Sequence, residues 1–332
     1  SYNNVGCCYK YMGQYGRAIE SFTKAAENAE KNGNPRVLPY SNLADVYEMT
    51  RQFHKAIECY KKGLTIDSGR IQFYKEIGNL YFSLKDYGNA IHYYTIWGEK
   101  NGGKRHLIEI GECYAALRDF RKGKNYYENV ISESARMMTT SGNGKNAAEA
   151  FECIVDGADH LLDIFEYKLA LKYLHQAQKA LEKSGVKVSA REEGKCFLIQ
   201  AKAFYLLHKK IQAKACAVKA KELYLKGSVS EEAYLAYGKE RPLRLARIGE
   251  CYMYMGEGQK ALAMFEQMAC GMRCTHCCEP RCYEAFRDMG IYYHGMRQYG
   301  EALDCYEKAL EICPGDLELM LVIEKLRKEI KK

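Results

Sequence analysis

Apolar and small residues recur at fixed distances along the last part of the chain, and we take Gly290 as the reference position. Aromatic residues follow it after three, nine and sixteen positions, and alanines follow after twelve and nineteen. Polar residues at 295–298 interrupt this pattern, and Pro314 ends it. Apolar positions with this spacing lie on one face of a helix, so the pattern predicts two helices joined by a tight turn.

The same offsets recur throughout the sequence, which predicts eight helical hairpins. We call the small residue at the reference position of each copy its anchor. The copies at Ala158 and Ala201 are degenerate, and the copy at Gly249 has Gly258 in place of the middle aromatic residue. Self-similarity at a period of about 34 residues or somewhat more is typical of stacked repeats. The eight anchors are Gly6, Ala44, Gly78, Gly111, Ala158, Ala201, Gly249 and Gly290.

This alternation of small and aromatic positions resembles the tetratricopeptide repeat. The resemblance implies an all-α, right-handed α-solenoid of about eight helix-turn-helix hairpins. The anchors would let the two helices of a hairpin approach closely. The aromatic residues would fill the space between one hairpin and the next.

The spacing of the anchors predicts two subarrays. Anchors follow one another after 33 to 38 residues in the first half and after 41 to 48 residues in the second half. We therefore expect an N-terminal subarray of four repeats at 1–138, a possible hinge loop at 139–146 and a C-terminal subarray of four longer, partly degenerate repeats at 147–315. One continuous solenoid is the alternative. Because Ser1 already precedes a helical pattern, we also expect the chain to be a piece of a longer protein.

The final segment, 316–332, is predicted to be a capping helix. An apolar stripe would cover the last hairpin, as solenoids require at their ends. A basic amphipathic helix that binds a membrane or an acidic surface is the alternative. The stripe consists of Leu317, Met320, Leu321, Ile323, Leu326 and Ile330.

Composition favours a protein that binds neither nucleic acid nor membranes. The 332 residues include 50 basic and 42 acidic side chains, a net charge of +8 that is small for this length. No apolar run of about 18 residues predicts a membrane span, and no signal peptide is visible. We therefore expect a cytoplasmic protein. Most of the 15 cysteines then read as small, reduced, apolar residues.

One cysteine-rich segment could bind a metal. Cys274 and Cys277 form a C-x-x-C pair, and Cys278 and Cys282 lie close by. Four thiolates could hold zinc or an iron–sulfur cluster. A transient disulfide and a plain reduced loop are the alternatives, since zinc loops usually separate their pairs by a dozen residues or more. No cofactor is expected apart from this possible zinc ion.

No motif of a nucleophile, a zinc protease or a phosphate-binding loop is present, so we expect no enzymatic activity. In tetratricopeptide repeats, partners usually lie in a concave groove lined by the first helix of each hairpin. If the resemblance holds, residues next to the anchors and one turn away should face that groove. They are Asp45, Lys75, Asn79, Phe82, Arg105, Glu112, Asp159, Lys202, Tyr205, Glu250 and Tyr254.

Some family members bind a terminal carboxylate through a Lys/Asn clamp. Lys75, Asn79 and Arg105 match parts of such a clamp, but Glu109 and Glu112 would repel a carboxylate, so we do not predict it. The mostly acidic lining suits an amide-rich or basic peptide better. The predicted function is a non-catalytic scaffold that binds a protein or peptide segment. The alternatives are a regulatory sensor domain of a larger signalling or transcription protein, which responds to a peptide or a metal, and an ordinary solvated surface.

Overall fold

The computed structural model describes residues 1–102, 105–140, 144–226, 241–268, 280–312 and 317–330. These ranges contain seventeen α-helices and no strand. The helices follow one another as hairpins, and consecutive hairpins pack on each other within residues 1–137 and within residues 138–332, so the fold is an all-α repeat solenoid. The chain divides into two compact units, residues 1–137 and residues 138–332.

Unit 1 contains four hairpins. Its helices are α1 (Tyr2–Tyr11), α2 (Tyr15–Lys31), α3 (Val37–Met49), α4 (Phe53–Ile66), α5 (Ile71–Ser83), α6 (Tyr87–Asn101), α7 (His106–Ala116) and α8 (Phe120–Thr140), the last of which continues to the unit boundary and slightly beyond it.

Unit 2 contains four more hairpins and a final helix. Its helices are α9 (Gly144–Asp163), α10 (Tyr167–Ser184), α11 (Ala190–Leu206), α12 (Lys210–Leu225), α13 (Arg241–Met255), α14 (Gly258–Met268), α15 (Pro280–Gly295), α16 (Tyr299–Ile312) and α17 (Leu317–Ile330).

The turn inside every hairpin has the same backbone geometry. The residue seven positions after each anchor adopts a positive φ. In the third hairpin the Lys85 amide donates to the Phe82 carbonyl and the Asp86 amide donates to the Tyr81 carbonyl, both at 2.9 Å. This pair of bonds is the Schellman motif that ends a helix, and it recurs in all eight hairpins. The positive-φ residues are Gly13, Arg51, Lys85, Arg118, Phe165, His208, Gly256 and Arg297.

The glycine anchors are sites of close approach between the two helices of one hairpin. A Cβ atom on Gly78 would lie 2.6 Å from the Tyr94 ring, and one on Gly290 would lie 2.5 Å from the Tyr306 ring. The ring sixteen positions after the anchor therefore packs against the anchor of its own hairpin. The aromatic residues were expected to fill the space between hairpins, and the Tyr60 ring does reach that of Phe73 in the next hairpin, with centroids 5.0 Å apart. The contact with the anchor of the same hairpin was not expected.

Longer helices contribute to the wider spacing of the first anchors of unit 2, whereas α13 to α16 have only 11 to 16 residues. Helices α3 to α7 have 11 to 15 residues, whereas α9 to α12 have 16 to 20. The extra length adds a second close approach in one hairpin, because a Cβ atom on Gly194 would lie 2.8 Å from the Tyr224 ring.

The segment predicted as a loop at 139–146 is partly helical. Helix α8 continues to Thr140, and α9 begins at Gly144. Residues 141–143, which lie between these helices, are outside the described ranges. A hinge function for this segment stays a prediction.

The C-terminal helix covers the last hairpin, but its buried face differs from the predicted stripe. Leu319, Ile323 and Leu326 are buried in the cluster that contains Ala302 and Tyr306. Met320, Leu321 and Ile330 are exposed instead. The side chain of Leu317 lies outside the described set. Positions 319, 323 and 326 are spaced by four and three residues and therefore lie in one row along the helix. One such row is enough for α17 to pack against a single hairpin.

Candidate partner-binding face

Four first helices of unit 2 pack side by side, in the order α9, α11, α13, α15. Residues next to their anchors meet on one surface, which we call the unit 2 face. The Lys202 ammonium on α11 lies 3.4 Å from the Asp159 carboxylate on α9. The rings of Tyr205 and Tyr254, on α11 and α13, have centroids 5.5 Å apart. The unit 2 face consists of Asp159, Asp163, Lys202, Tyr205, Glu250, Tyr254, Arg287 and Asp288.

Lys202 is the central cation of this face. Its ammonium also lies 3.9 Å from the Asp163 carboxylate. Burial disfavours the charged form, but Asp159, Asp163 and Glu250 outweigh that effect, so the pKa of Lys202 is raised. Lys202 is therefore charged at neutral pH and paired with α9.

Glu250 is the least compensated carboxyl group of the face. It forms no hydrogen bond or ion pair with the described residues, and it is half-buried. Burial, followed by repulsion from Asp288, raises the pKa of Glu250 to about 8. Lys202 and Arg287 oppose this shift without removing it. Glu250 thus keeps its proton at neutral pH in the unliganded protein.

Asp288 and Arg287 are neighbours on α15 and pair with each other. Two guanidinium nitrogens of Arg287 donate to one oxygen of Asp288 at 3.1 and 3.2 Å. Asp288 is only 9% exposed, and burial raises its pKa despite this partner. The positive charge of Arg287 therefore stabilises the ionised form of Asp288 more than that of Glu250.

Tyr254 is a buried residue whose hydroxyl group forms no hydrogen bond with the described residues. The residue is 8% exposed. Burial, and then the charges of Glu250, Asp288 and Asp159, raise the pKa of Tyr254.

The predicted residues of unit 1 occupy the corresponding helix positions but are largely satisfied within the unit. Asp45 pairs with Lys10 at 3.0 Å. The Lys75 ammonium lies 3.1 Å from the Glu109 carboxylate and 4.6 Å from the centroid of the Trp97 ring.

The remaining predicted residues of unit 1 have a similar character. Asn79 accepts a hydrogen bond from the Tyr94 hydroxyl at 2.9 Å. The Phe82 ring packs edge-on against that of Tyr87, with centroids 5.4 Å apart. Arg105 is exposed where α7 begins, and Glu112 is half-buried on α7.

Residues two positions before an anchor were missed as candidates. Asp288 and Asp156 both occupy this position, and Asp156 pairs with Lys195 at 2.5 Å. A residue at this position lies one helical turn before the residue that follows the anchor, so both are on the same helix face. Both therefore lie within the range of positions expected to face the groove, although neither was named among the candidates.

The candidate metal segment lies outside the described structure. Cys270, Cys274, Cys277 and Cys278 are not described, and neither is the side chain of Cys282. Where side chains are described, no three His, Cys, Asp or Glu residues are arranged to hold a metal ion. Zinc binding at this segment stays a prediction.

Several described cysteines behave as apolar residues. Cys113, Cys251 and Cys305 are buried, and Cys7 and Cys59 are half-buried. Burial raises the pKa of Cys305 to about 11 and that of Cys113 to about 12, so these thiols are un-ionised at neutral pH.

Three family models match the sequence, and each is a model of the tetratricopeptide repeat. They cover residues 1–68, 71–95 and 283–316. The chain is a tetratricopeptide repeat protein. Such repeats are typical of non-catalytic protein-interaction scaffolds. No curated protein matches the sequence.

Solved structures with similar folds agree with this assignment. The apo form of the quorum sensor NprR from B. thuringiensis has a TM-score of 0.53 and 12% identity, over 94% of this chain and 87% of that one. The human IFIT1 dimer with m7Gppp-AAAA has a TM-score of 0.50 and 14% identity, over 100% of this tetratricopeptide repeat chain and 74% of that one. At such identities the likeness shows the fold alone. In the described part of this protein, no helix has both the length and the apolar character needed to cross a membrane.

Proposed function

We propose that this protein is a non-catalytic scaffold that holds a segment of a partner protein on the unit 2 face. The proposal rests mainly on one observation: four successive first helices bring charged, polar and aromatic side chains to one surface. Tyr205 is 40% exposed there, and its ring leans on that of Tyr254. Exposed aromatic rings beside incompletely paired polar groups are common where proteins bind peptides.

The charge of the face favours a protein partner over nucleic acid. Even with Glu250 protonated, the carboxyl groups of Asp159, Asp163 and Asp288 outnumber the two cations, so phosphate groups would meet repulsion. The IFIT1 structure contains m7Gppp-AAAA, but its likeness to this chain is limited to the fold. The regulatory-sensor alternative has support of the same limited kind, since NprR is a quorum sensor with 12% identity.

Site-specific photocrosslinking tests the proposal. Peptides selected from a random-sequence library against the whole chain are offered to two variants that carry p-benzoylphenylalanine, one at Tyr205 on the face and one at His175. His175 is exposed on α10, a second helix of the same unit, and serves as the matched control. We expect crosslinks from position 205 and none above background from position 175. Equal crosslinking from both positions, or from 175 alone, would contradict the proposal.

A further inference from the structure

We propose that the turn edge of unit 1 docks on the surface of an anionic lipid bilayer. The turn edge consists of the four segments that join the two helices of each hairpin, residues 11–17, 49–55, 83–89 and 116–122. No residue of the unit 2 face belongs to it. Three features support this mode of binding: the segments lie along one edge, they hold the excess charge of the unit, and apolar side chains protrude from them.

The turns of the second and third hairpins lie at the same edge of unit 1. At the opposite edge, a Cβ atom on Gly63, near the end of α4, would lie 2.6 Å from the Phe73 ring and 3.6 Å from Val37. The starts of α3 and α5 therefore meet beside the end of α4. In the two turns themselves, Phe53 and Leu84 pack against one core cluster. The two first helices thus run in the same direction.

Ion pairs between corresponding positions extend this alignment to the other two hairpins. Near the ends of α1 and α3, the Lys10 ammonium lies 3.0 Å from the Asp45 carboxylate. Lys75 on α5 and Glu109 on α7, which lie three and two positions before their anchors, are 3.1 Å apart. First helices that are matched position by position bring the four turns that follow them into one row.

The turn edge carries the excess positive charge of unit 1. Its four segments contain seven basic and two acidic side chains, whereas the rest of residues 1–137 contains thirteen of each. The small net charge of the whole chain, from which no membrane partner was expected, conceals this concentration. All seven basic residues are exposed, namely Arg17, Arg51, Lys55, Lys85, Arg118, Arg121 and Lys122.

The two acidic residues of the edge cap helices. Asp86 accepts hydrogen bonds from the backbone amide and the carboxamide of Asn89, at 3.2 and 2.7 Å. Asp119 accepts a hydrogen bond from the backbone amide of Lys122 at 3.1 Å and lies 3.2 Å from its ammonium group. Helix N-termini carry a partial positive charge that offsets part of each carboxylate. The edge therefore keeps its excess of cations.

Aromatic rings hold three of these cations in place. Arg17, Lys55 and Lys122 each lie eleven positions after an anchor, and each packs over the ring three positions after that anchor. The cations lie 5.7, 5.5 and 5.1 Å from the ring centroids. A ring orients a cation without neutralising its charge. The rings are those of Tyr9, Tyr47 and Tyr114.

Apolar side chains protrude between the cations. In the first turn Tyr11 is 88% exposed and Met12 is 68% exposed, and Met49 and Leu117 in later turns are more than half exposed. A peptide usually binds in a groove, whereas side chains that protrude from successive turns suit a surface that yields around them. Lipid headgroups accept methionine, leucine and tyrosine, and anionic headgroups attract the neighbouring lysine and arginine residues. A nucleic acid would meet the cations but would leave the apolar side chains in water.

Fluorescence of an introduced tryptophan tests which edge meets the bilayer. The only tryptophan of the chain, Trp97, is buried. Tyr11→Trp places a second one at the turn edge, and Tyr2→Trp is the matched control, because Tyr2 is exposed at the other end of α1. The probe is a phosphatidylcholine vesicle with about 30% phosphatidylserine. We expect brominated lipid to quench the emission from position 11 at least about threefold more strongly than that from position 2.

Sedimentation with the same vesicles tests the contribution of charge. A triple variant, Arg51→Gln with Lys85→Gln and Arg118→Gln, removes one cation from each of three turns. We expect it to bind about tenfold or more weakly than the unaltered protein, because each lysine or arginine near an anionic surface adds to the attraction. Vesicles of phosphatidylcholine alone should bind the unaltered protein more weakly by a similar factor.

The matched control removes three exposed cations from the opposite edge of the same unit. Lys31, Lys62 and Lys100 lie towards the ends of α2, α4 and α6, and their joint replacement by glutamine should change binding by less than about twofold. Circular dichroism checks that both triple variants are folded, and the tryptophan experiment does not depend on them. Equal losses in the two triple variants, equal quenching at positions 2 and 11, or no binding to the phosphatidylserine vesicles would overturn the inference. Binding of a peptide rich in glutamate and leucine without any binding to vesicles would also overturn it and would assign the edge to an acidic protein.

Discussion

The first helices of the two units carry similar residue types but differ in how far their charges are neutralised. In unit 1, Asp45 is paired with Lys10, and Lys75 is paired with Glu109 and covered by the Trp97 ring. In unit 2, neither the Glu250 carboxyl group nor the Tyr254 hydroxyl forms an ion pair or a hydrogen bond with the described residues. Pairing is not complete in unit 1 either, since one carboxylate oxygen of Glu109 is buried and forms no hydrogen bond with the described residues.

The largest expected effect tests whether the two helices of a hairpin pack in the same way in both units. Replacing Gly78 in unit 1 or Gly290 in unit 2 with leucine should lower the free energy of unfolding by about 3 kcal/mol, because the new side chain would collide with the Tyr94 or the Tyr306 ring. Chemical denaturation measures this. Gly300→Ala is the control, since a Cβ atom there meets nothing within 4 Å. Leucine variants as stable as the unaltered protein would contradict the assigned helix crossing.

The second effect tests how strongly unit 1 depends on its own ion pairs. Lys75→Met should destabilise the protein by about 2 kcal/mol, because it leaves the Glu109 carboxylate, whose side chain is 14% exposed, without its cation. Denaturation at neutral pH measures the change. Lys62→Met is the comparison, since the Lys62–Glu30 pair is exposed and 3.8 Å apart and should change stability by less than about 0.5 kcal/mol. If both variants lost a similar free energy of unfolding, burial would not determine how much each ion pair stabilises the protein.

The third effect concerns the uncompensated carboxyl group of unit 2. The pKa of Glu250 is raised to about 8 in the folded protein, against about 4.3 for glutamate in an unfolded chain. Between these values the folded state binds more protons than the unfolded state, so the free energy of unfolding decreases as the pH rises through this window. Below about pH 4 the ionisation of Glu250 does not change the free energy of unfolding, and above about pH 8 its destabilising effect is complete.

Glu250→Gln should therefore flatten the dependence of stability on pH. At about pH 9 we expect the variant to be more stable than the unaltered protein by about 1–2 kcal/mol, with no such gain at about pH 4. Denaturation curves across this range check the prediction. Glu182→Gln, which removes an exposed carboxylate, should follow the unaltered protein at every pH.

The smallest effect returns to a feature that the two units have in common. Lys85→Gly in unit 1 and His208→Gly in unit 2 should each raise the free energy of unfolding by about 0.5–1 kcal/mol, because glycine adopts a positive φ without steric cost. Thermal or chemical denaturation detects a change of this size. Gly13→Ala should have the opposite sign, and a loss of stability in both glycine variants would argue against strain at these turns.

The sequence predicted most of the scaffold because its signals are local. Anchors and rings such as Gly290 and Tyr306 occupy one hairpin, so their contact follows from the helical period alone. The turn conformation was harder to predict, since only Gly13 and Gly256 of its eight residues are glycine. The sequence did not show which face of α17 is buried, because Leu319 and Met320 are both apolar. Only packing against the neighbouring helix decides which of the two is buried.

Part of the candidate face was also predictable. The position after an anchor identified Asp159, Lys202 and Glu250, which the structure brings together on unit 2. The ion pairs between charged side chains were not predictable. The pair between Lys75 and Glu109, for example, depends on how consecutive hairpins pack. Asp288 lies one turn before the residue that follows Gly290 and so fits the expected pattern, but it was not named as a candidate.

The left-handed residue in each hairpin turn restricts which mutations the gene can tolerate. At that backbone angle, valine, isoleucine and threonine collide with their own main chain, and proline cannot adopt it at all. Codons 13, 51, 85, 118, 165, 208, 256 and 297 should thus reject branched and cyclic side chains even though the six non-glycine residues they encode are exposed. Deep mutational scanning should show that these eight positions tolerate fewer substitutions than the exposed positions around them.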